Sequence, residues 1–236
     1  MLRIFRKSIQ TGVVTNPYPA KVNTPADGFR GLPEWVEKNC IKCGKCAERC
    51  PTKAISLNST GGFWSVDPKR CIYCGYCEDA CEAKALFLGN QFELAERVSV
   101  EGVNKAFGRS VHIRHLDAGS CNGCDWEMAA LTGPVYDIQR LGFDFVASPR
   151  HADVLMVTGP VTRNLEIAAK KTFAAVPAPK LVVAVGTCAC SGGICGKSYA
   201  SNGGVDNILP VDVYIPGCPP RPQALISGLM KAAGKM

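Results

Sequence analysis

Residues 40–57 read CIKCGKCAERCPTKAISL, and the same pattern returns 31 positions later in residues 71–88 as CIYCGYCEDACEAKALFL. Each copy contains four cysteines spaced C-x2-C-x2-C-x3-C, and a repeat of this kind indicates two copies of one supersecondary unit. In a reducing compartment, thiols at two-residue gaps are metal ligands rather than disulfides. The repeats therefore predict a small domain, residues 33–90, built around bound metal.

The spacing is that of bacterial two-cluster ferredoxins, in which the fourth cysteine of each run binds the other run's [4Fe-4S] cluster. Zinc is a poor alternative because its four ligands usually form two separated pairs, which leaves the third cysteine of each run without a role. We expect an α+β, ferredoxin-like domain. Its first cluster is predicted to be held by Cys40, Cys43, Cys46 and Cys81, and its second by Cys71, Cys74, Cys77 and Cys50.

Composition limits the classes of function. The 236 residues contain no apolar run long enough to span a bilayer, and the N-terminal segment lacks the apolar core of a secretory signal. We therefore expect the protein on the cytoplasmic side. The formal net charge is +7, but each thiolate-bound cluster contributes about −2, so three clusters would leave roughly +1. This balance argues against a nucleic-acid partner.

The second half has the pattern of an α/β domain, predicted over residues 111–236. Apolar runs predict strands at 111–116, 143–146, 154–157, 181–185 and 211–215, and helical patterns lie at 125–131, 134–141, 165–173 and 222–233. Their alternation predicts a flavodoxin-like, doubly wound parallel sheet. Residues 1–32 are then a basic N-terminal extension, and residues 91–110 are a linker.

Four further cysteines follow predicted strands directly. Open parallel sheets bind their ligands at the carboxyl ends of the strands. A helix that begins near Asp125 would direct its positive end toward an anionic cluster there. The sequence thus predicts a third [4Fe-4S] cluster held by Cys121, Cys124, Cys188 and Cys218.

The segments CNGCDWE, SPRHADVLMVTGPVT, GTCACSGG and VDVYIPGCPP, within residues 111–235, resemble the small subunit of energy-converting, membrane-bound [NiFe] hydrogenases of the formate hydrogenlyase type. That family is related to the 20 kDa subunit of complex I, next to the quinone site. The two-residue gap between Cys121 and Cys124 resembles the hydrogenases, since the complex I subunit has adjacent cysteines there. The first half resembles the two-cluster ferredoxin subunit of the same complexes, so the chain resembles a fusion of two subunits.

The resemblance implies a subunit of an oxidoreductase complex that relays electrons through three clusters to or from the [NiFe] centre of a partner large subunit. Hydrogen is evolved or consumed there, and membrane-embedded subunits couple the reaction to ion translocation. A peripheral place on the cytoplasmic face of the membrane follows. Two alternatives stay open: a complex I-like module that passes electrons to a quinone, and a free-standing iron–sulfur carrier or redox sensor.

Other residues carry weaker signals. Glu127 is a candidate proton relay, although an acid in the first turn of a helix is also explained by the helix dipole. Cys190 and Cys195 are left without a ligand role. The stretch SGGICGKS imitates a phosphate-binding loop, but Ser191 stands where that loop requires glycine, so no nucleotide is expected.

Two surface features suggest partners. The cations around the first repeat suit an acidic soluble ferredoxin or another redox donor, or else they compensate the charge of two clusters; they are Lys38, Lys42, Lys45, Arg49, Lys53, Lys69 and Arg70. Apolar residues in the basic N-terminal stretch would pack on a membrane subunit or lie at the membrane surface; they are Leu2, Ile4, Phe5 and Ile9.

Overall fold

The computed structural model describes residues 2–22, 24–58, 63–98 and 110–235, beginning with helix α1 (Leu2–Thr11), which buries none of its side chains. The segment after α1 is fixed on the C-terminal half of the chain. The Asn16 amide donates to the Val135 carbonyl at 2.7 Å, and Tyr18, only 1% exposed, joins the core of that half. The predicted N-terminal extension therefore crosses the second domain before the chain enters the first.

The cysteine-rich domain consists of two short antiparallel sheets and two short helices. Strand β1 (Pro33–Trp35) pairs with β4 (Leu86–Leu88), and β2 (Ile55–Asn58) pairs with β3 (Phe63–Val66). Helices α2 (Lys45–Arg49) and α3 (Tyr76–Asp79) begin directly after Gly44 and Gly75, whose φ angles are +77° and +85°. The two repeats thus adopt the same local structure, as the duplication predicts.

The second domain is built on one six-stranded sheet in the order β5, β10, β9, β8, β6, β7. Its strands are β5 (Glu96–Arg97), β6 (Val111–Asp117), β7 (Phe143–Phe145), β8 (Val154–Thr158), β9 (Leu181–Val185) and β10 (Val213–Ile215). The last five are parallel and stand in the order 2-1-3-4-5, which is typical of flavodoxin-like sheets. β5 lies in the predicted linker and adds an antiparallel edge strand; residues 99–109 of that linker lie outside the described residues.

Helices cover both faces of this sheet. Helix α4 (Gly123–Ala130) and α7 (Pro222–Ala232) pack on one core cluster, and α5 (Glu166–Ala175) and α6 (Gly186–Ser191) pack on the other. The predicted helix 134–141 is wrong in its first half, because the chain turns at Gly133 and again at Asp137, whose φ is +42°. None of the helices in the described ranges has the length and hydropathy to cross a membrane.

Candidate iron–sulfur sites

The first site is a cavity in the cysteine-rich domain, closed by the side chains of Trp35, Leu57 and Trp64. Two cysteines of the first repeat reach it from the loop before α2, a third lies in the first turn of α2, and one cysteine of the second repeat reaches it from just after α3. The structure therefore gathers the predicted first ligand set around one space: Cys40, Cys43, Cys46 and Cys81.

The second site is the counterpart cavity, closed by Pro33, Ile55 and Tyr73. It is more deeply buried, because three of its cysteines have almost no exposed surface. Burial, the largest cause, raises the pKa of Cys71 to about 11 and that of Cys77 to about 12. The predicted second ligand set is again collected around one space: Cys71, Cys74, Cys77 and Cys50.

Backbone N–H groups donate hydrogen bonds to cysteine sulfur atoms at equivalent positions of the two repeats. Each repeat has two such donors. One is two residues after the first cysteine and donates to that cysteine's sulfur, and the other is four residues after the last cysteine and donates to the last cysteine's sulfur. The distances are 3.4 Å from Lys42 to Cys40, 3.4 Å from Tyr73 to Cys71, 3.3 Å from Ala54 to Cys50 and 3.2 Å from Ala85 to Cys81. Such donors stabilise negative charge on sulfur, which a cluster ligand requires.

Buried donors in these cavities test whether the residues fit a cluster. The indole Nε1 atoms of Trp35 and Trp64 are buried, both rings line the first cavity, and neither N–H makes a hydrogen bond of normal geometry among the described residues. The Trp64 N–H lies near enough to the Cys46 sulfur to favour its thiolate, although burial, the larger effect, leaves the pKa of Cys46 raised. Unpartnered buried donors are costly, and the sulfur atoms of a cluster are acceptors for them. The donor set and its surroundings therefore fit the group.

The third site lies at the carboxyl ends of β6, β9 and β10, where α4 and α6 begin. Cys121 and Cys124 flank the start of α4, Cys188 lies in α6, and Cys218 follows β10. Burial raises the pKa of Cys124, and electrostatic repulsion from Cys188, Cys121 and Cys218 adds to this effect. All four cysteines of the predicted third set therefore lie close together at one edge of the sheet.

Gly186 permits this convergence. Its φ is +83°, and a Cβ atom built there would lie 2.5 Å from the Cys124 sulfur. Any side chain there would therefore displace the Cys124 sulfur or the backbone that carries Gly186. Gly186 is therefore a point of close contact between the start of α6 and Cys124.

A polar network fixes the loop that carries Cys121 and Cys124. Asp117 accepts hydrogen bonds from the amides of Gly119 and Ser120 at 2.9 and 2.7 Å, and the Ser120 hydroxyl donates to Asp125. On the other side, Thr158 donates to Asp125 at 3.0 Å, and His115 Nε2 lies 2.9 Å from the same carboxylate. Sequence reasoning missed these residues. The signal for them was the run of short polar side chains beside two cysteines, which is typical of side chain–backbone turns.

The second and third sites are neighbours. Cys74 and Cys218 line the same cleft between the two domains, together with Tyr73 and Arg221. The Cys71 thiol is close enough to Cys218 for repulsion between them to contribute to its raised pKa, after burial and closer groups. The second group of cysteines therefore lies next to the third, and the first group shares the cysteine-rich domain with the second.

The remaining candidates have different surroundings. Burial raises the pKa of Glu127, against the opposing charge of Arg221, so this half-buried carboxyl retains its proton to higher pH than an exposed one. Cys190 is buried in the sheet core, and its thiol lies 3.6 Å from the Ala184 carbonyl oxygen, whereas Cys195 is exposed. Among the predicted cations, Lys45 pairs with Glu82 at 2.6 Å.

Comparison with known proteins follows the same division of the chain. Residues 121–232 match the family described as "NADH ubiquinone oxidoreductase, 20 Kd subunit", and residues 39–85 match the 4Fe-4S dicluster domain. The chain is 46% identical over 132 residues to the probable membrane-bound hydrogenase subunit mbhJ of Pyrococcus furiosus, covering 56% of this chain and 79% of that protein.

Two other relatives are, by name, subunits of the two kinds of complex that the sequence resembles, a formate hydrogenlyase and a complex I-like oxidoreductase. Formate hydrogenlyase subunit 7 of Escherichia coli is 45% identical over 130 residues, which cover 55% of this chain and 51% of that protein. A subunit of the NADH-quinone oxidoreductase of Bacteroides thetaiotaomicron is 51% identical over 132 residues, which cover 55% and 66%. By name, all three relatives are subunits of oxidoreductases. The predicted resemblance is confirmed: the chain belongs to the family of the 20 kDa subunit of NADH–ubiquinone oxidoreductase, with a 4Fe-4S dicluster domain in the same polypeptide.

Proposed function

We propose that the chain holds three [4Fe-4S] clusters in a row and carries electrons along them as a subunit of a membrane-bound [NiFe] hydrogenase complex. The ligand sets are the three groups of four cysteines gathered at the three sites. The observation that carries the proposal is the cleft shared by Cys74 and Cys218, because it joins the dicluster domain to the third site. The name of the Pyrococcus relative supports the hydrogenase assignment.

Bound clusters supply the one-electron chemistry, and the protein sets their positions and potentials. The paired amide donors stabilise charge on the ligand sulfurs of the dicluster domain. The indole rings of Trp35 and Trp64, which line the first cavity, limit the access of water to it. Asp125, held by Ser120 and Thr158, keeps the start of α4 pointed at the third site.

A partner large subunit with the [NiFe] centre is proposed to cover the third site. Cys121 and Cys218 are exposed there. Trp126 on α4 is 77% exposed. Ile194 and Tyr199, in the segment after α6, are 66% and 95% exposed. Exposed aromatic side chains are typical of the centres of protein interfaces. A free-standing carrier would have no need of them, which favours a subunit over a soluble carrier or sensor.

We further propose a peripheral position on the cytoplasmic face of the membrane, beside membrane-embedded subunits. Helix α1 supports it, because its apolar residues Leu2, Ile4, Phe5 and Ile9 are all exposed. The same helix carries Arg3, Arg6 and Lys7 and no acidic residue, a combination suited to an interface with anionic lipid. Replacing Ile4 and Phe5 by serine should release the complex from membranes at lower salt; unchanged retention would contradict this role of α1.

The first site is the proposed entry for electrons from a soluble ferredoxin or another redox donor. Cys43 is exposed at its rim, Lys42 beside Cys40 is exposed, and Lys38 and Lys53 are exposed elsewhere in the same domain. Attraction between these cations and an acidic donor weakens as salt screens it. The electron-transfer rate should therefore fall with ionic strength, and a rate insensitive to salt would exclude docking by charge.

Metal analysis of the gently solubilised complex tests the main proposal. We expect about twelve irons per copy of this chain, nickel in a partner subunit, and hydrogen evolution or uptake. The complex I-like alternative is supported by the 51% identity to the Bacteroides relative. A nickel-free complex that reduces a quinone would decide for it, and colourless, iron-free protein would overturn both.

A further inference from the structure

Thr187 lies where the two domains meet. It is 1% exposed and belongs to the first turn of α6, immediately before Cys188. Its hydroxyl donates to the Cys71 carbonyl, with an oxygen–oxygen distance of 2.8 Å, and lies 3.1 Å from the Gly217 carbonyl. One side chain therefore contacts or adjoins three segments that carry proposed ligands.

These three segments belong to two different sites. Cys71 is a proposed ligand of the second cluster, whereas Cys188 and Cys218, which follows Gly217, are proposed ligands of the third. The Thr187 amide also donates to the Gly217 carbonyl at 2.8 Å, so the backbone alone already joins the two segments of the third site. The hydroxyl adds the connection to the second site.

We propose that Thr187 is the junction residue for electron exchange between the second and third clusters. From Cys71, the route runs through its carbonyl and one hydrogen bond to Thr187, and then along the backbone to Cys188. In this exchange the second cluster loses one electron and the third gains it, or the reverse, and no proton moves and no bond breaks. The inference rests on the proposed function, since it presumes clusters at both sites.

The neighbouring Ser191 offers a matched comparison. Its hydroxyl donates to the Lys69 carbonyl at 2.8 Å, so it makes the same kind of bond across the same domain interface. Lys69 is two residues before Cys71 and is not a proposed ligand, so this bond supports docking without joining two ligands. Thr187 and Ser191 therefore separate the effect of the route from the effect of docking.

The test uses the intact complex with Thr187→Val, Thr187→Ser and Ser191→Ala. Iron per chain and the EPR signals of the three clusters are measured first, followed by redox titration. After photoreduction with a deazaflavin dye, rapid-freeze EPR then follows the transfer of electrons from the second cluster to the third. We expect Thr187→Val to retain its iron and its potentials but to slow this transfer several-fold. Thr187→Ser should restore it, and Ser191→Ala should behave like the unmodified complex.

Each outcome gives a distinct answer. If Thr187→Val, at full iron content, transfers electrons between the second and third clusters as fast as the unmodified complex, the proposed role of Thr187 is refuted and the proposed function is unaffected. Equal slowing in Ser191→Ala would also overturn it, because docking alone would then explain the effect. If Thr187→Val does not accumulate, Thr187→Ala removes the same hydroxyl and gives the same comparison. Absence of iron from the unmodified complex would instead contradict the proposed function.

Discussion

Replacing Gly186 by alanine should remove the third cluster and leave the other two. The added Cβ atom would lie 2.5 Å from the Cys124 sulfur, below the 3.0 Å under which such contacts essentially do not occur. Overpacking of this kind typically costs about 1–3 kcal/mol. The left-handed backbone at φ +83° adds about 1–2 kcal/mol for a residue with a side chain. The overlap can be relieved only by a shift of the Cys124 sulfur or of the backbone at Gly186, and either shift changes the geometry of the third ligand set.

Gly28→Ala is the control that separates overlap from backbone strain. Its φ is +80°, nearly the value at Gly186, but a Cβ atom there meets nothing within 4 Å. This variant should lose about 1–2 kcal/mol of stability from backbone strain and keep all its iron. The strain alone therefore cannot account for the loss of a cluster.

Iron analysis and EPR of the purified complexes provide the measurement. We expect Gly186→Ala to hold about eight irons per chain in place of about twelve, since one four-iron cluster is lost. The EPR signals of the first and second clusters should persist. A Gly186→Ala protein with full iron content and an unaltered third signal would show that Cys124 does not hold the third cluster in the proposed way.

Four other predictions follow from the same geometry. Trp64→Phe removes a buried N–H donor from the first cavity. Because such a donor stabilises the reduced cluster by about 1 kcal/mol, the reduction potential of the first cluster should fall by about 40 mV in a redox titration. The control Trp126→Phe, which changes an exposed indole, should leave that potential unchanged. Trp126→Glu should weaken association with the large subunit by about 30-fold if this exposed side chain is an interface anchor worth about 2 kcal/mol; co-purification at the unmodified yield would contradict that. Removing iron should expose residues 33–90 to proteolysis before residues 111–235. In the described core of the cysteine-rich domain, three of the seven buried residues are cysteines, so this core depends on the bound clusters. Cleavage of both domains at the same rate would contradict this prediction. Burial raises the pKa of Glu127, so the folded protein favours the protonated carboxyl and loses stability as the pH rises through the normal and then the raised pKa. Glu127→Gln should therefore be more stable than the unmodified protein at neutral pH but not below pH ~4. The temperature at which iron is released measures this difference.

The sequence predicted the parts of this structure that depend on local pattern. The central strands β8 and β9 are almost entirely apolar and are buried along their whole length. The grouping of cysteines in the dicluster domain followed from spacing, because short loops leave few ways to direct three sulfurs at one space. Both kinds of signal lie within about twenty residues of chain, where periodicity determines geometry.

Other parts had no local signal. Helix α6 has six residues and begins at a glycine, so no helical period could be read from it, and β5 has only two residues. The first half of the helix predicted at 134–141 is wrong, because Asp137 adopts a left-handed conformation that apolar spacing does not encode. The contacts of Thr187 with Cys71 and of Tyr18 with the second domain join residues far apart in the chain. Such contacts depend on how the two domains dock.

The two repeats differ at one equivalent position beside their cavities. Lys42 and Tyr73 occupy the same position of the repeat and have nearly equal φ angles, +57° and +58°. Lys42 is exposed beside the first cavity, whereas the Tyr73 hydroxyl is buried in the described structure without a hydrogen-bond partner. Burial raises the pKa of Tyr73, and the nearby thiols of Cys71, Cys190 and Cys218 raise it further. The two cavities are therefore equivalent in local structure but differ in their surroundings, because this position faces solvent at the first and lies near thiols of both domains at the second.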